Sequence, residues 1–532
     1  MYQACYIVDG FIKGELLRML SILRQRNFAL FWFGSLISLL GDSVLNTALP
    51  FYIYQLSGST LAAGAIYIAG AIPSVLFGSL AGVFVDRWSR KRIIIIADLL
   101  LVLILLPLLA VQAARWLWVI PVVVFAGSTV SLFFDPAENA LMSYLVDEQQ
   151  LMAANGLKSA TLSLANITGP AIGGILLALF GITGVALVDL ATFLISAVII
   201  GFIKVPEGSV ESTAMIARSI TEKWLEVWNE WLEGLRMVKN VRWITVFFVV
   251  IGITMFAAGI RSVLEVVFAQ KVLHTDAVEF GLLLTAQALG GLISIPTIKR
   301  LARFLGINKF LHVGRLLRLS IRKFLHISTN RMLHIDKLVR VGVRRLASVD
   351  KHLYISRLLR LFLMVLVGLD KLIRQGSNRI LHVGRLLRMD KLSHVGVAGL
   401  LRVGRCIQEC FFLALGCMII GISLIVMVSI PIFPLALVLF ALMGMGLTYW
   451  SISLQTLLQS EVTHQYRGRI VGTLATTNAL LMLGGRVLAS SIGNFLGTVP
   501  VLILAGGLNV LAGGVALIVL SWVRLYSKPI SK

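Results

Sequence analysis

Charged residues are scarce in this chain, and acidic residues especially so. Of the 532 residues only 14% are charged, with 25 Asp and Glu against 48 Lys and Arg, while 58% are hydrophobic. Soluble domains contain about a quarter charged residues, so this composition excludes a string of soluble domains. The mean hydropathy of +0.91 predicts an integral membrane protein with many spans.

Signals for several other functions are also missing. Four cysteines in 532 residues exclude a disulfide framework, and the spacing of His394, Cys406 and Cys410 matches no zinc pattern. The sequence contains no Walker-type phosphate loop, no paired histidine ligands and no nucleophile motif, so we predict no enzyme activity, no metal site and no cofactor. Residues 1–27 lack the apolar core and cleavage site of a signal peptide and are predicted to form a cytoplasmic leader.

Long apolar segments fall into two groups of six. Each is about 20 residues long, the length of a helix that crosses a bilayer. They are predicted at 28–54, 61–84, 93–114, 117–135, 157–180 and 182–203, and then at 243–269, 280–298, 411–430, 432–457, 470–496 and 498–523. The pattern predicts an all-α membrane protein with one six-helix half at 28–203, a second at 243–298 and 406–523, and a cytoplasmic tail at 524–532.

A polar segment, 204–242, separates the two halves. Trp224, Trp228 and Trp231 recur there at helical spacing, which is typical of an amphipathic helix at the membrane surface. If the twelve spans alternate, 20 of the 24 basic residues outside 299–405 lie on the same side as the N-terminus. By the positive-inside rule this bias predicts that both termini are cytoplasmic.

Residues 299–405 differ in character from the rest of the chain. They contain 24 Lys and Arg and four Asp, a net charge of +20, whereas the other 425 residues have a net charge of +3. The octapeptide Leu-His-Val-Gly-Arg-Leu-Leu-Arg occurs at 311–318 and again at 381–388. Equivalent positions in the two halves differ by 209 residues before this segment and by 316 after it, a difference of 107. We predict a basic, repetitive insertion in the cytoplasmic loop after the eighth span.

Two interpretations of this insertion remain. A passive tract would be tolerated, because lengthening a loop costs little closure entropy. Alternatively, basic helices would bind the anionic membrane leaflet, since each Lys or Arg near its surface gains about 1 kcal/mol. No nucleic acid is expected as a partner, because stacking aromatic residues are scarce in the segment.

The loop between the second and third spans carries a motif that runs from Gly82 to Arg92 as Gly-Val-Phe-Val-Asp-Arg-Trp-Ser-Arg-Lys-Arg. Its glycine permits close helix approach, and its basic cluster holds the loop in the cytoplasm. The motif resembles the signature loop of the major facilitator superfamily. The resemblance implies two six-helix halves that rock about a central site, and a loop carboxylate that latches one state. The residues of this gating motif are Gly82, Asp86, Arg87, Arg90 and Lys91.

A second motif, Gly169-Pro170-Ala-Ile-Gly173-Gly174, lies in the fifth span. Proline kinks a helix and glycine allows tight packing, so a simple packing kink would explain it. The motif also resembles the antiporter motif of the same superfamily, and that resemblance implies proton-coupled export.

Other segments narrow the resemblance to one branch of the superfamily. Phe133–Ala137 and Leu151–Gly156, with Arg467 and Arg469 in the second half, are similar to the branch that contains macrolide-efflux and enterobactin-exporter-like proteins. Two features depart from the superfamily. The fourth span has no basic residue where a membrane arginine is linked to proton transfer, and the loop after the eighth span has no counterpart of Asp86. Cytoplasmic gating is therefore expected to be asymmetric or damaged.

Ionisable and polar residues inside the spans mark a candidate transport pathway, because they are costly in a membrane. The candidates for substrate or proton binding are Asp42, Asn46, Asp189, Arg261, Glu265 and Arg486. Asp42 and Asn46 share a helix face, and a carboxyl group there could exchange a proton for substrate. Structural alternatives stay open, namely a hydrogen bond for Asp42, a packing role for Asp189, and an ion pair between Arg261 and Glu265.

Together these features predict a secondary active transporter of the bacterial inner membrane. It would export amphipathic small molecules, such as drugs or siderophores, in exchange for protons by alternating access. We expect a monomer that has the small molecule, protons and membrane lipids as its partners. Two alternatives stay open, a transporter of lipid-like solutes and a transporter-derived protein whose insertion blocks the cytoplasmic gate. Substrate identity is not specified, because apolar cavity residues do not select among drugs, siderophores and lipids.

Overall fold

The fold is that of a computed structural model, which describes most of the chain. The described residues are 21–85, 89–204, 231–233, 236, 242–304, 397–461 and 464–520. Within them the secondary structure is helical and contains no strand. The all-α fold class predicted from composition and apolar segment length is therefore confirmed.

Eleven helices in the described part of the chain are long and apolar enough to cross a membrane. One of them, Leu151–Gly201, contains two spans, because the backbone at Gly181 leaves the helical region with a φ of 64°, a conformation that glycine adopts readily. The other ten are Arg26–Ser57, Thr60–Val85, Arg90–Leu105, Val119–Leu145, Arg242–Lys271, Ala277–Phe304, Val397–Ser429, Phe433–Glu461, His464–Leu496 and Thr498–Val515. The helices thus provide twelve spans, first to twelfth in chain order, with the fifth and sixth on either side of Gly181.

The fourth span is longer than the sequence pattern predicts. The pattern places it at 117–135, because Asp135-Pro136 interrupts the apolar run, but the helix continues through Pro136 to Leu145. A proline inside a helix removes one backbone donor and favours a kink, yet it does not end this helix. The continuation buries Glu138, so the predicted end of the fourth span is wrong.

Short turns of other helix types adjoin several spans. The third span continues as a 3₁₀ turn, Leu106–Ala110, and the twelfth ends in a π-helical turn, Ala516–Leu520. Further 3₁₀ turns at Ala114–Trp116 and Glu148–Gln150 precede the fourth and fifth spans.

The chain divides into two compact units. The first consists of residues 1–295 and 412–532, and the second of residues 296–411. Of the second unit the structure describes 296–304 and 397–411, which are helical. Residues 1–20 of the predicted leader lie outside the described residues, as do residues 305–396 of the predicted insertion and most of the predicted inter-half segment.

Small residues let the two six-helix halves approach closely. A Cβ atom at Gly174 of the fifth span would lie 2.3 Å from the carbonyl oxygen of Ala277 in the eighth, and one at Gly281 would lie 2.3 Å from that of Pro170. Because spans alternate in direction, these contacts lie toward the side of the bundle that contains the turn between the first and second spans, residues 57–60. We call this the first-turn side.

Hydrogen bonds also join the halves toward the first-turn side. Three of them run from Gln270 Nε2 to Phe51 O at 2.7 Å, from Thr285 Oγ1 to Ile167 O at 2.9 Å, and from Thr60 N to Asn494 Oδ1 at 3.3 Å. Together with the glycine contacts they form a packed seam between the halves.

Candidate functional site

A cavity of about 150 Å³ lies inside the N-terminal half, among its first, third, fourth, fifth and sixth spans. Most of its lining comes from residues 28–42 of the first span, 131–142 of the fourth and 154–162 of the fifth. These segments lie in the part of each span that is farther from the first-turn side. The cavity therefore lies within the N-terminal half, away from the seam on the first-turn side.

Four charged side chains line this cavity, those of Asp42, Asp135, Glu138 and Lys158. Asp135 and Glu138 are three residues apart on the fourth span, so they share one helix face. Lys158 of the fifth span forms an ion pair with Glu138 and donates a hydrogen bond to Asn139 Oδ1 at 2.8 Å. The pair links two neighbouring spans and neutralises one of the three carboxylates.

Aromatic side chains form much of the remaining wall. Phe28, Phe31, Trp32 and Phe134 all line the cavity. The indole Nε1 of Trp32 donates a hydrogen bond to Thr161 Oγ1 at 2.9 Å, which satisfies the polar end of the indole and fixes its position. The cavity thus offers both carboxylates and aromatic surface to a ligand.

Two further carboxyl groups are buried in the spans around this cavity. Asp189 of the sixth span is fully buried and lies against the first span, where a Cβ atom at Gly41 would come within 2.4 Å of its Oδ1. Thr192 Oγ1 donates a hydrogen bond to the same oxygen at 3.3 Å. Asp98 of the third span is also fully buried and lies within electrostatic range of Asp42. The structure therefore places four other carboxyl groups, those of Asp98, Asp135, Glu138 and Asp189, around the residue that the sequence singles out, Asp42.

The remaining predicted site residues lie elsewhere. Asn46 has an exposed side chain and does not line the cavity. Arg261 Nη1 lies 2.8 Å from Glu265 Oε2, and the Glu265 side chain is almost fully buried, so these two residues form the ion pair that their four-residue spacing allows.

Arg486 of the eleventh span contacts the opposite half. Its Nη1 donates a hydrogen bond to the carbonyl oxygen of Tyr67 in the second span at 2.9 Å. Its guanidinium carbon also lies 5.7 Å from the centre of the Tyr67 ring, within the range of a cation–π interaction. Arg486 is thus part of the seam between the halves.

The gating motif is only partly within the described residues. Asp86 and Arg87 lie outside them, and Gly82 belongs to the helix of the second span. Lys91 Nζ donates hydrogen bonds to the carbonyl oxygens of Gly201 and Ile203, both at 2.7 Å. Those carbonyls lie at the end of the sixth span, where a helix leaves acceptors without intrahelical partners. Lys91 therefore caps the sixth span and ties it to the third.

The antiporter-like motif lies at two helix contacts. Cβ atoms would come within 2.2 Å of Ser43 Oγ if placed at Gly169, and within 2.7 Å of the carbonyl oxygen of Val44 if placed at Gly173. Both neighbours belong to the first span, whereas Gly174 faces the eighth span in the seam. The motif packs the fifth span against the first span and the opposite half.

The inter-half segment is described only near its end. Trp231, which the sequence places on an amphipathic helix, donates a hydrogen bond from its indole to Thr477 Oγ1 of the eleventh span at 3.2 Å. At this residue the segment contacts the C-terminal half, while Trp224 and Trp228 lie outside the described residues.

Sequence reasoning missed Asp135, Glu138 and Lys158 as site residues. Glu138 lies beyond the predicted end of the fourth span at residue 135, and Lys158 lies at the predicted start of the fifth. Their signal is the helical spacing of Asp135 and Glu138, which becomes visible once the helix is extended through Pro136.

Comparison with known proteins identifies the family. The model of the Major Facilitator Superfamily matches residues 31–320, more than half of the chain. The chain belongs to the Major Facilitator Superfamily. This membership agrees with the twelve spans in two halves and with the gating and antiporter-like motifs.

Relatives within the superfamily include efflux proteins. The chain is 29% identical to macrolide efflux protein A of Streptococcus pyogenes over 182 residues, 34% of this chain and 45% of that protein. It is 28% identical to the multidrug efflux pump Tap of Mycolicibacterium fortuitum over 293 residues, 51% of this chain and 66% of that protein. The chain thus spans about half the length of the first of these curated relatives.

The fold is shared with solved transporter structures. The nucleoside transporter NupG superposes with a TM-score of 0.60 at 11% identity, covering 92% of this chain and 99% of that one. At this identity the likeness shows the fold alone, a superfamily bundle.

Proposed function

We propose that this protein exports an amphipathic small molecule from the bacterial cytoplasm across the inner membrane in exchange for protons. The observation that carries the proposal is the cavity of the N-terminal half, in which Asp42 and two other carboxyl groups lie beside aromatic side chains. Ionisable residues in a span are costly and mark a transport pathway. The efflux proteins among the relatives support the direction of transport.

Asp42 is the group to which we assign the proton. It lines the cavity, and its neighbour Gly41 makes room for the buried carboxyl group of Asp189. Lys158 does not neutralise Asp42, because its ammonium pairs with Glu138. A proton bound by Asp42 would be exchanged for substrate when the cavity changes the side of the membrane to which it opens.

The packing suits alternating access of the two halves. In this structure the halves meet in a seam toward the first-turn side, and the cavity lies on the other side. If both termini are cytoplasmic, as the charge distribution favours, the first-turn side is extracellular and the cavity lies nearer the cytoplasmic side of the N-terminal half. Export then requires the seam to part while the opposite side closes.

The test is substrate accumulation in bacteria with and without the protein. A panel of macrolides, siderophores and ethidium is measured before and after addition of a proton uncoupler. We expect lower accumulation of at least one compound in the expressing cells, and loss of the difference with the uncoupler. Unchanged accumulation across the panel would refute export, and a difference that survives the uncoupler would refute coupling to protons.

A further inference from the structure

The cavity of the N-terminal half carries more negative than positive charge. Asp42, Asp135 and Glu138 line it, and among the described lining residues Lys158 alone is basic. Because Lys158 is paired with Glu138, the cavity keeps two carboxyl groups that this ammonium does not neutralise. A positively charged ligand is therefore favoured over an anionic one.

The two remaining carboxyl groups have different positions. Asp42 lies on the first span beside Gly41 and the buried Asp189, and the proposed function assigns the proton to it. Asp135 has an exposed side chain on the fourth span, one turn before Glu138. Asp135 is therefore the carboxylate available to a substrate cation.

The rest of the wall suits an organic cation. Trp32 and Phe134 line the same cavity as Asp135, and aromatic faces attract ammonium groups within about 6 Å. The cavity volume of about 150 Å³ is smaller than the roughly 300–1,000 Å³ of pockets that enclose a drug-sized ligand. The cavity therefore fits the charged group of such a ligand, with its apolar remainder outside.

We propose that this cavity is the binding subsite for the charged group of an amphipathic organic cation, and that Lys158 is a specificity-determining residue that restricts the ligand to one positive charge. This inference rests on the proposed function, since it takes Asp42 as the proton-binding group. Lys158 is paired with Glu138, the carboxylate that would otherwise bind a second positive charge of the ligand. Its ammonium also repels that charge, and a repulsive element of this kind is a common source of specificity.

The contacts of Lys158 hold it in this role. The ammonium bonds both Glu138 and Asn139 on the neighbouring span, so two acceptors of one helix hold it in place. The Lys158 side chain is 28% exposed and the Glu138 side chain 10%, so the pair faces the cavity and is partly shielded from water.

The experiment compares two dyes that share a phenanthridinium ring, ethidium with one positive charge and propidium with an additional quaternary ammonium. Binding to the purified full chain is measured by dye fluorescence. In Lys158→Gln we expect propidium to bind about tenfold more tightly, the size of one charge-assisted hydrogen bond, while ethidium changes by less than about threefold. Neutral Nile red measures cavity integrity and should be unaffected. The matched control is Lys271→Gln, which alters an exposed lysine at the end of the seventh span and should leave all three dyes unchanged.

Two further variants test whether Lys158 acts through Glu138. The double variant Glu138→Gln/Lys158→Gln removes the whole pair and should return the ratio of the two affinities to its wild-type value. Glu138→Gln alone leaves the Lys158 ammonium without its carboxylate partner, so it should weaken the binding of propidium more than the binding of ethidium. If Lys158→Gln does not fold, this variant tests the role of Lys158 instead. Two results would overturn the specificity role of Lys158. One is an equal change in affinity for both dyes in each single variant, and the other is a double variant with the same affinity ratio as Lys158→Gln.

Failure of this inference is distinguishable from failure of export. A change in the dye ratio as expected, in a protein that does not lower drug accumulation in cells, leaves the subsite standing and removes the export function. If export responds to the uncoupler but Lys158→Gln leaves the ratio of the two dye affinities unchanged, the export function stands and the proposed role of Lys158 is wrong.

Discussion

The two halves of the bundle treat their charged residues differently. In the N-terminal half, three carboxyl groups line a cavity and two more are buried around it, with Lys158 paired to one of them. In the C-terminal half, Glu265 is paired with Arg261 on the same helix, and Arg486 bonds a carbonyl oxygen of the opposite half. The cavity of the N-terminal half thus contains charged groups that a ligand can contact, whereas Arg261, Glu265 and Arg486 of the C-terminal half contact other parts of the protein.

This difference assigns separate tasks to halves that share an architecture. In our proposal, the N-terminal half holds the groups that bind a cation or a proton. The C-terminal half supplies the surface against which the fifth and second spans close. Variants of the charged residues in the N-terminal cavity should change proton coupling and substrate selectivity. Variants of residues in the seam should change stability and the balance between conformations.

The largest effect is expected from Asp42→Asn. The amide has the size of the carboxyl group but cannot exchange a proton, so export driven by protons should fall to the level of cells without the protein. Drug accumulation with matched membrane abundance is the measurement. Asp147→Asn, at an exposed position before the fifth span, is the control and should keep export. Full export by Asp42→Asn would show that Asp42 does not carry the exchanged proton.

Next in size is Gly174→Ala, which tests the seam. The new Cβ would lie 2.3 Å from the carbonyl oxygen of Ala277, so the fifth and eighth spans must separate. Overpacking of this kind costs about 1–3 kcal/mol, and we expect export to fall about tenfold. Gly472→Ala introduces a methyl group with no atom within 4 Å and should be neutral or slightly stabilising. Equal export by the two variants would show that the seam does not limit transport.

How much of this structure can be predicted from the sequence depends on how far apart in the chain the interacting residues lie. The spans follow from runs of apolar residues, which are local, so their number and approximate positions are correct. Two helices differ most from the predicted spans. The helix of the ninth span begins at Val397, before its predicted start at residue 411, and the helix of the fourth continues through Pro136 to Leu145. Only packing against its neighbours explains why the helix continues and buries Glu138.

The site was harder to predict than the fold. Asp42 stands out because a carboxyl group in an apolar span has few structural uses. The pairing of Lys158 with Glu138 joins two spans and depends on how they face each other, which spacing along one helix does not reveal. The same holds for Arg486, whose partner Tyr67 lies 419 residues away in the chain.

A smaller effect is expected from Arg486→Gln. The variant loses a charge-assisted hydrogen bond to Tyr67 O and the contact with its ring, a loss of about 1–3 kcal/mol. Thermal unfolding of the purified protein should shift to lower temperature, with substrate affinity unchanged. Arg115→Gln, at an exposed position before the fourth span, should not shift it. Loss of substrate affinity with unchanged stability would place Arg486 in the binding site and remove the distinction between the halves.

The smallest effect is expected from replacing residues 305–396, the part of the predicted insertion between the helices of the eighth and ninth spans, by a short Gly-Ser linker. If the insertion is a passive tract, export should stay within about twofold of the full chain, because loop length has a weak entropic cost. Export rates at matched abundance provide the measurement. A marked gain would identify an inactivating insertion, and a marked loss would identify a segment that transport requires.

The most direct test of the proposal that the N-terminal cavity exchanges a proton for a cation uses the purified protein in liposomes. Ethidium movement is recorded after a pH gradient is imposed, with wild-type protein and Asp42→Asn side by side. We expect the gradient to drive ethidium against its concentration gradient in the wild type, and only gradient-independent movement in the variant. Ethidium transport that ignores the pH gradient in the wild type, or responds to it equally in both proteins, would contradict this account.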